Sequence, residues 1–176
     1  MTSFPVAPTV KTKRLVLRAL KADDFENVHR IWSDAENVKF LGGKPSTRME
    51  SWRRITNSAG MWPILGYGYW AVDEASSGSF IGMVGFADFQ RDEPEGFSGD
   101  PEIGYVIDKA FHGQGYGREA MAACMQWLDE THGRRRSICM IDPDNIASIR
   151  IAERLGYRIF DEGVLGGKTL LLLERL

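Results

Sequence analysis

The sequence predicts an α/β fold: one mixed, mostly antiparallel central sheet with helices on both faces. Three observations carry that reading. Apolar residues recur with period two in some segments and at helical spacing in others. Period-two segments follow one another directly, as hairpins do. A strand–helix–strand passage in the second half needs a crossover, so one strand pair is parallel.

The elements follow in order. Residues 1–11 show no period and read as a loose N-terminal tail. "RLVLRAL" alternates apolar and basic residues, a half-buried strand. "KADDFENVHRIWSD" places Phe25, Val28, Ile31 and Trp32 at helical spacing, with Asp23 or Asp24 as N-cap. "STRMESWRRITNSAG" pairs Thr47 with Glu50 in a capping box, and Gly60 is expected to end that helix. "GYWAVDE" and "GSFIGMVGFADF", joined by a Ser/Gly turn, form a hairpin. A polar loop, Arg91 to Asp100, leads to the strand "EIGYVID". The next helix buries Tyr116, Ala120, Ala123, Cys124, Trp127, Leu128 and Thr131 on one stripe. "SICMI" is a buried strand, and "DNIASIRIAERLG" is a helix capped near Asn145 and closed by Gly156. "YRIFDEG" and "GKTLLLLERL" finish as a strand pair, making about seven strands in a single domain over residues 1–176.

Composition narrows the function. The chain has 176 residues, a formal charge of -2 and a pI near 5.9, which argues against a general nucleic-acid binder. Cys124 and Cys139 read as buried free thiols of a reducing compartment. The histidines His29, His112 and His132 are scattered, so no metal site is expected. No apolar run reaches the roughly 20 residues of a membrane span, and the first residues lack the pattern of a signal peptide. The expected location is the cytoplasm, with no membrane or nucleic-acid partner.

One stretch carries the chemistry. "FHGQGYGREA" sets Gly113, Gly115 and Gly117 where a helix must start, although a helix-interior glycine costs about 1 kcal/mol relative to alanine. The glycines either shape a turn or let bare backbone N–H groups approach an anion at a helix N-terminus. The stretch lacks the Lys-Ser/Thr pair of a P-loop. Arg118 stands where a dinucleotide fingerprint needs its last glycine.

The loop resembles the acyl-CoA loop of the GNAT superfamily of N-acetyltransferases, whose pattern Q/R-x-x-G-x-G/A is written here from His112 to Gly117. "TKRLVLRAL", "EIGYVID" and "NIASIRIAERLGY" are similar, in order and spacing, to the branch of the ribosomal-protein N-terminal acetyltransferases. The resemblance spans about Thr12 to Tyr157. It implies a sheet splayed between the fourth and fifth strands, acetyl-CoA as acyl donor, and backbone from Gln114 through Gly115, Tyr116 and Gly117 to Arg118 on the pyrophosphate. Backbone of Val106 or Ile107 would hold the pantetheine arm and polarise the thioester carbonyl, and Asn145 would contact the same arm. Glu102 is the candidate general base, directly or through a water. The position of the superfamily's usual acidic tyrosine is Ala152 here, so Ser148 is the candidate acid.

The residues leave the acceptor open. A primary amine is expected, either a protein N-terminal α-amine or a small amine such as a polyamine or antibiotic. A non-catalytic CoA-binding module, and succinyl-CoA as donor, are the alternatives. Trp52, Trp62, Tyr67, Tyr69 and Trp70 crowd the acceptor side, about half of them expected to be core. Acidic residues in "RDEPEGFSGDPE" would attract a cationic amine or be simply solvated, and "GRRR" (133–136) would reach a CoA phosphate or only follow a helix end. Monomer and homodimer stay open.

Overall fold

The period-two segments pair into one eight-stranded sheet, in a computed structural model that describes residues 4–92, 94, 97 and 99–176. The strands are β1 (Val10–Lys11), β2 (Leu15–Arg18), β3 (Tyr69–Glu74), β4 (Phe80–Ala87), β5 (Glu102–Ile107), β6 (Ser137–Ile141), β7 (Arg158–Leu165) and β8 (Lys168–Arg175). Their spatial order is β1-β2-β3-β4-β5-β6-β8-β7. Every pair is antiparallel except β5–β6, the pair joined by the crossover.

That parallel pair touches at a single register position, Glu102 with Ile138, and the strands diverge beyond it. The expected splay is therefore present, between the strands that the sequence counts as fourth and fifth. The eighth strand is the addition. Val10 and Lys11 pair with Leu17 and Val16. From residue 4 onward the segment expected to be a loose tail is tied down: Phe4 packs its ring on Trp62 and Trp127, Ala7 is buried, and Trp70 Nε1 donates to the Pro8 carbonyl. A two-residue strand is too short to show a period, which is why the sequence hides it.

The helices are α1 (Phe25–Trp32), α2 (Ala35–Val38), α3 (Arg48–Leu65), α4 (Tyr116–His132) and α5 (Ile146–Arg154). The Thr47–Glu50 capping box is formed as expected at the start of α3. Gly60 does not end it. The helix continues through Pro63 to a left-handed cap at Gly66, because the extra turn carries Trp62 into the core, where its Nε1 donates to the Tyr69 carbonyl. Asp24 makes no side-chain cap at α1; its carboxylate takes the Lys21 N–H and the Arg18 guanidinium instead.

α4 covers one sheet face. Tyr116, Ala120, Met121, Cys124, Met125 and Leu128 are buried there, with Ala123 and Trp127 half-buried against the same cluster. Both cysteines are buried free thiols. α1 and α3 cover the other face through Val28, Ile31 and Ile55, packed on Ala71, Met83 and Val106. Among the described residues no helix is long and apolar enough to cross a membrane.

Candidate functional site

Two cavities open on either side of β5 and meet at Phe40, Leu41, Tyr105 and Val106, which line both. The first, about 510 Å³, runs from the glycine loop to α5. The second, about 540 Å³, lies under α1, α3 and the β7–β8 hairpin.

The glycine loop begins at the end of β5. Asp108 caps a short 3-10 turn through the Ala110 N–H and pairs with Arg30 of α1. His112, the departure from the family pattern, has its Nε2 2.7 Å from the Ile107 carbonyl. A carbonyl can only accept, so Nε2 carries the proton. Gly113 and Gly115 adopt left-handed φ of 74° and 79°, which side chains resist. Gly117 is bare for another reason: a Cβ there would lie 2.9 Å from Cε2 of Tyr105. A second strap crosses from the N-terminal motif. Arg14 donates through Nη1 to the Gln114 carbonyl and through Nε to Glu119, whose carboxylate also takes the Thr12 hydroxyl and the Arg14 N–H.

This loop fits an anion followed by an extended arm. α4 begins at Tyr116, and its first N–H groups have no intrahelical partner. Asp108 donates to Ile81 on β4, so strand alternation turns the Val106 and Gly104 backbone toward β4 and that of Ile107 and Tyr105 toward the open edge. Of the two expected backbone contacts, Ile107 faces the cleft, and with its carbonyl held by His112 its N–H is the group left to offer.

The site residues expected from the sequence divide accordingly. Val106, Ile107, Gly115, Tyr116, Gly117, Asn145 and Ser148 line the first cavity, and Glu102 lines the second, which Val106 also lines. Gln114 and Arg118 are exposed and line neither. The Tyr116 side chain is buried against Phe111 and Arg14, so only its backbone is available to a ligand. Asn145 caps α5 with its side-chain oxygen on the Ser148 N–H. Ser148 Oγ lies 2.8 Å from the Tyr105 hydroxyl. Burial raises the Tyr105 phenol above its ordinary value despite that bond, so it stays a proton donor. Tyr105 was not singled out from the sequence, where it is one aromatic among the strand's apolar residues.

Glu102 stands at the one contact point of the splayed strands, mostly buried, and Arg91 grips it with both terminal nitrogens. Burial raises its carboxyl above the ordinary range, and this outweighs the lowering by Arg91.

Of the five aromatic residues set on the acceptor side, Tyr69 lines the cavity beside Glu102, and the half expected to be core is Trp62, Trp70 and Tyr67. Trp62 and Trp70 form core with Trp127, Tyr67 is buried on Phe86 and His132, and Trp52 is exposed beside Phe25. The residues missed are Trp32, Arg54, Phe40, Leu41 and Lys168. Of the acidic loop, Glu93 and Glu95 lie outside the described residues; Asp100 is paired with Arg136. Arg136 also holds Glu174, and "GRRR" sits at the far end of α4 from the glycine loop, roughly 25 Å away at 1.5 Å per residue.

A family model described as an acetyltransferase (GNAT) domain matches residues 14–158. The Bacillus subtilis protein YkkB, itself uncharacterized, is 33% identical over 150 residues, covering 82% of each chain. A solved Bordetella pertussis structure assigned to the GNAT-family acetyltransferases is 30% identical, covers 97% of this chain and 100% of its own, and superposes with a TM-score of 0.86. The fold is shared with RimL, a ribosomal L7/L12 α-N-protein acetyltransferase, solved in complex with coenzyme A. That chain is 19% identical, with 96% and 98% coverage and a TM-score of 0.74.

Proposed function

Because this chain belongs to the GNAT family and is an acetyl-CoA-dependent N-acetyltransferase, we propose that its acceptor is a primary α-amine, a protein N-terminus foremost, bound beside Glu102. The observation that carries this is the position of a buried carboxyl with a raised pKa, in a cavity that meets the donor cleft at Tyr105 and Val106. Ribosomal α-amine acetylation, named for RimL, supports the same class of acceptor.

The donor supplies an activated acetyl thioester; the chain supplies position and protons. Glycine-loop backbone holds the pyrophosphate, with Gln114 and Arg118 contributing at its exposed rim. The Ile107 N–H and the Asn145 amide hold the arm in the splay. Glu102 receives the amine proton, directly or through a water. An α-amine with a pKa near 8 costs only about 1 kcal/mol to deprotonate at neutral pH, whereas a lysine near 10.4 costs roughly 4–5 kcal/mol. A single carboxylate base, worth about 10²–10⁴ in rate, suits the former. At the other side of β5, Ser148 and Tyr105 share a hydrogen bond from which a proton can pass to the leaving thiolate.

Glu102→Gln tests this. Following thiol release against an α-amine peptide panel, kcat/KM should fall about 10²–10⁴-fold. The raised carboxyl also fixes the sign of the pH effect. Activity of the unaltered enzyme should fall on the acid side at a pH above 4.5, and that limb should vanish in the variant. Undiminished acetylation at every pH would reject Glu102 as base, and acetyl-CoA binding without turnover on any amine would reject the acceptor reading.

A further inference from the structure

The second cavity contains an arginine that forms no ion pair with an acidic side chain among the described residues. Arg54, on the second turn of α3, lines it together with Tyr69, Arg91, Glu102, Asp142 and Lys168. Its guanidinium carbon lies 3.5 Å from the centroid of the Trp32 ring, and its Nε is buried without a hydrogen-bond partner among the described residues. Glu50, one turn earlier on the same helix, is occupied by the capping box, accepting from the Thr47 N–H and hydroxyl. Glu102 is held by Arg91. Among the described lining residues there are three cations (Arg54, Arg91, Lys168) and two carboxylates (Glu102, Asp142). An excess of positive charge in a half-closed cavity does not suit a polyamine.

Stacking explains why the charge is kept there. A guanidinium laid on an aromatic face keeps its in-plane N–H groups free, and that fork matches a carboxylate. Burial lowers the Arg54 pKa from its ordinary value, only partly offset by Tyr69 and Glu50. The charged form is thus held at a cost that an incoming anion would relieve. Tyr69 is influenced by both Arg54 and Glu102 and links the two ends of the cavity.

We propose that the acceptor carries a carboxylate near its reacting amine, and that Arg54 binds this carboxylate, with the Tyr69 hydroxyl alongside, while the amine faces Glu102. The inference rests on the proposed acceptor site and narrows it. Two sources share the chemistry: the α-carboxylate of a free amino acid, and the acidic side chain of a peptide's first residue.

The test compares kcat/KM within matched pairs. One arm sets free L-amino acids against their α-amides; the other sets peptide amides beginning with Asp or Glu against those beginning with Asn or Gln. In one arm or both, the carboxylate member should be favoured about 10–100-fold, the scale of a charge-assisted bond. Arg54→Met should bring it down to its neutral partner, and Arg54→Lys should restore part of the preference. Because the unaltered enzyme is compared across acceptors, the first result does not depend on whether the variants fold. Preference for neutral α-amines overturns the inference but leaves the proposed function standing, as does a carboxylate preference that survives Arg54→Met; preference for an alkylamine such as spermidine overturns both. No acetylation of any amine overturns both.

Discussion

Gly117→Ala asks what the last glycine of the loop is for. The residue sits in the first turn of α4, and its φ is not left-handed, so alanine fits the backbone. Helix propensity alone would then stabilise the protein by up to about 1 kcal/mol. Against this, the new Cβ would lie 2.9 Å from Tyr105 Cε2 and 3.4 Å from Cδ2, where carbon atoms prefer about 3.5–4.0 Å. The ring must therefore withdraw by over half an ångström from a packed position, and overpacking of this kind costs about 1–3 kcal/mol. The net is a destabilisation of about 0–3 kcal/mol at 25 °C. Ring movement also shifts the hydroxyl that lies 2.8 Å from Ser148, so kcat should fall more than the acetyl-CoA KM rises. Urea unfolding and steady-state thiol release measure the two effects. In a Tyr105→Ala background the clash is gone, and the same glycine substitution should turn stabilising. If it stabilises equally in both backgrounds, the glycine does not make room for the ring.

Two further substitutions test the straps. Glu119→Gln weakens the acceptor of Thr12 and Arg14, so acetyl-CoA KM should rise several-fold as the loop loses its tether, and unfolding free energy should fall by about 1–3 kcal/mol. Burial raises the Glu119 carboxyl, but bonds from Thr12 and Arg14 outweigh it and hold the group below its ordinary 4.5. The unfolded chain then binds the proton more tightly. This contribution is full above about pH 4.5 and lost as pH falls through the lower folded value, and the variant's acid unfolding curve should lack it. For Asn145, alanine should cost about 1 kcal/mol through loss of the α5 cap, while aspartate keeps the cap. If the Asn145 amide holds the donor's arm, both variants bind CoA more weakly by calorimetry; if it only caps, aspartate binds as well as asparagine.

Most of the frame was legible because its signals are local. Thr47 and Glu50 are three residues apart and close their own box, the β3–β4 hairpin announces itself by period and turn, and Gly156 ends α5 by its φ of 88°. Misses arose where distant parts decide. Gly60 is a fair stop signal on its own, and only the pull of the core on Trp62 carries α3 past it. Val10 and Lys11 become a strand because β2 is there to pair with them. Arg54 carries no local mark of its own until α1 sets Trp32 under it.

The same contrast separates donor from acceptor. On the proposed reading the donor would be met largely by consecutive backbone, from Ile107 through the loop to Gly117, so its recognition is written in one contiguous string of glycines and can be read without a structure. The cavity proposed for the acceptor is walled by single side chains from α1, α3, β3, β5 and β8, namely Trp32, Arg54, Tyr69, Glu102 and Lys168, spaced far apart along the chain. No short motif can encode such a set. The two arrangements differ in how they tolerate change. A substitution in the loop must preserve left-handed turns at Gly113 and Gly115 and the clearance at Gly117, whereas Arg54 or Lys168 can be exchanged without touching any strap that holds the loop. Acceptor choice can therefore drift while the glycine loop stays fixed, which is why Arg54, and not the loop, bears on the acceptor of this chain.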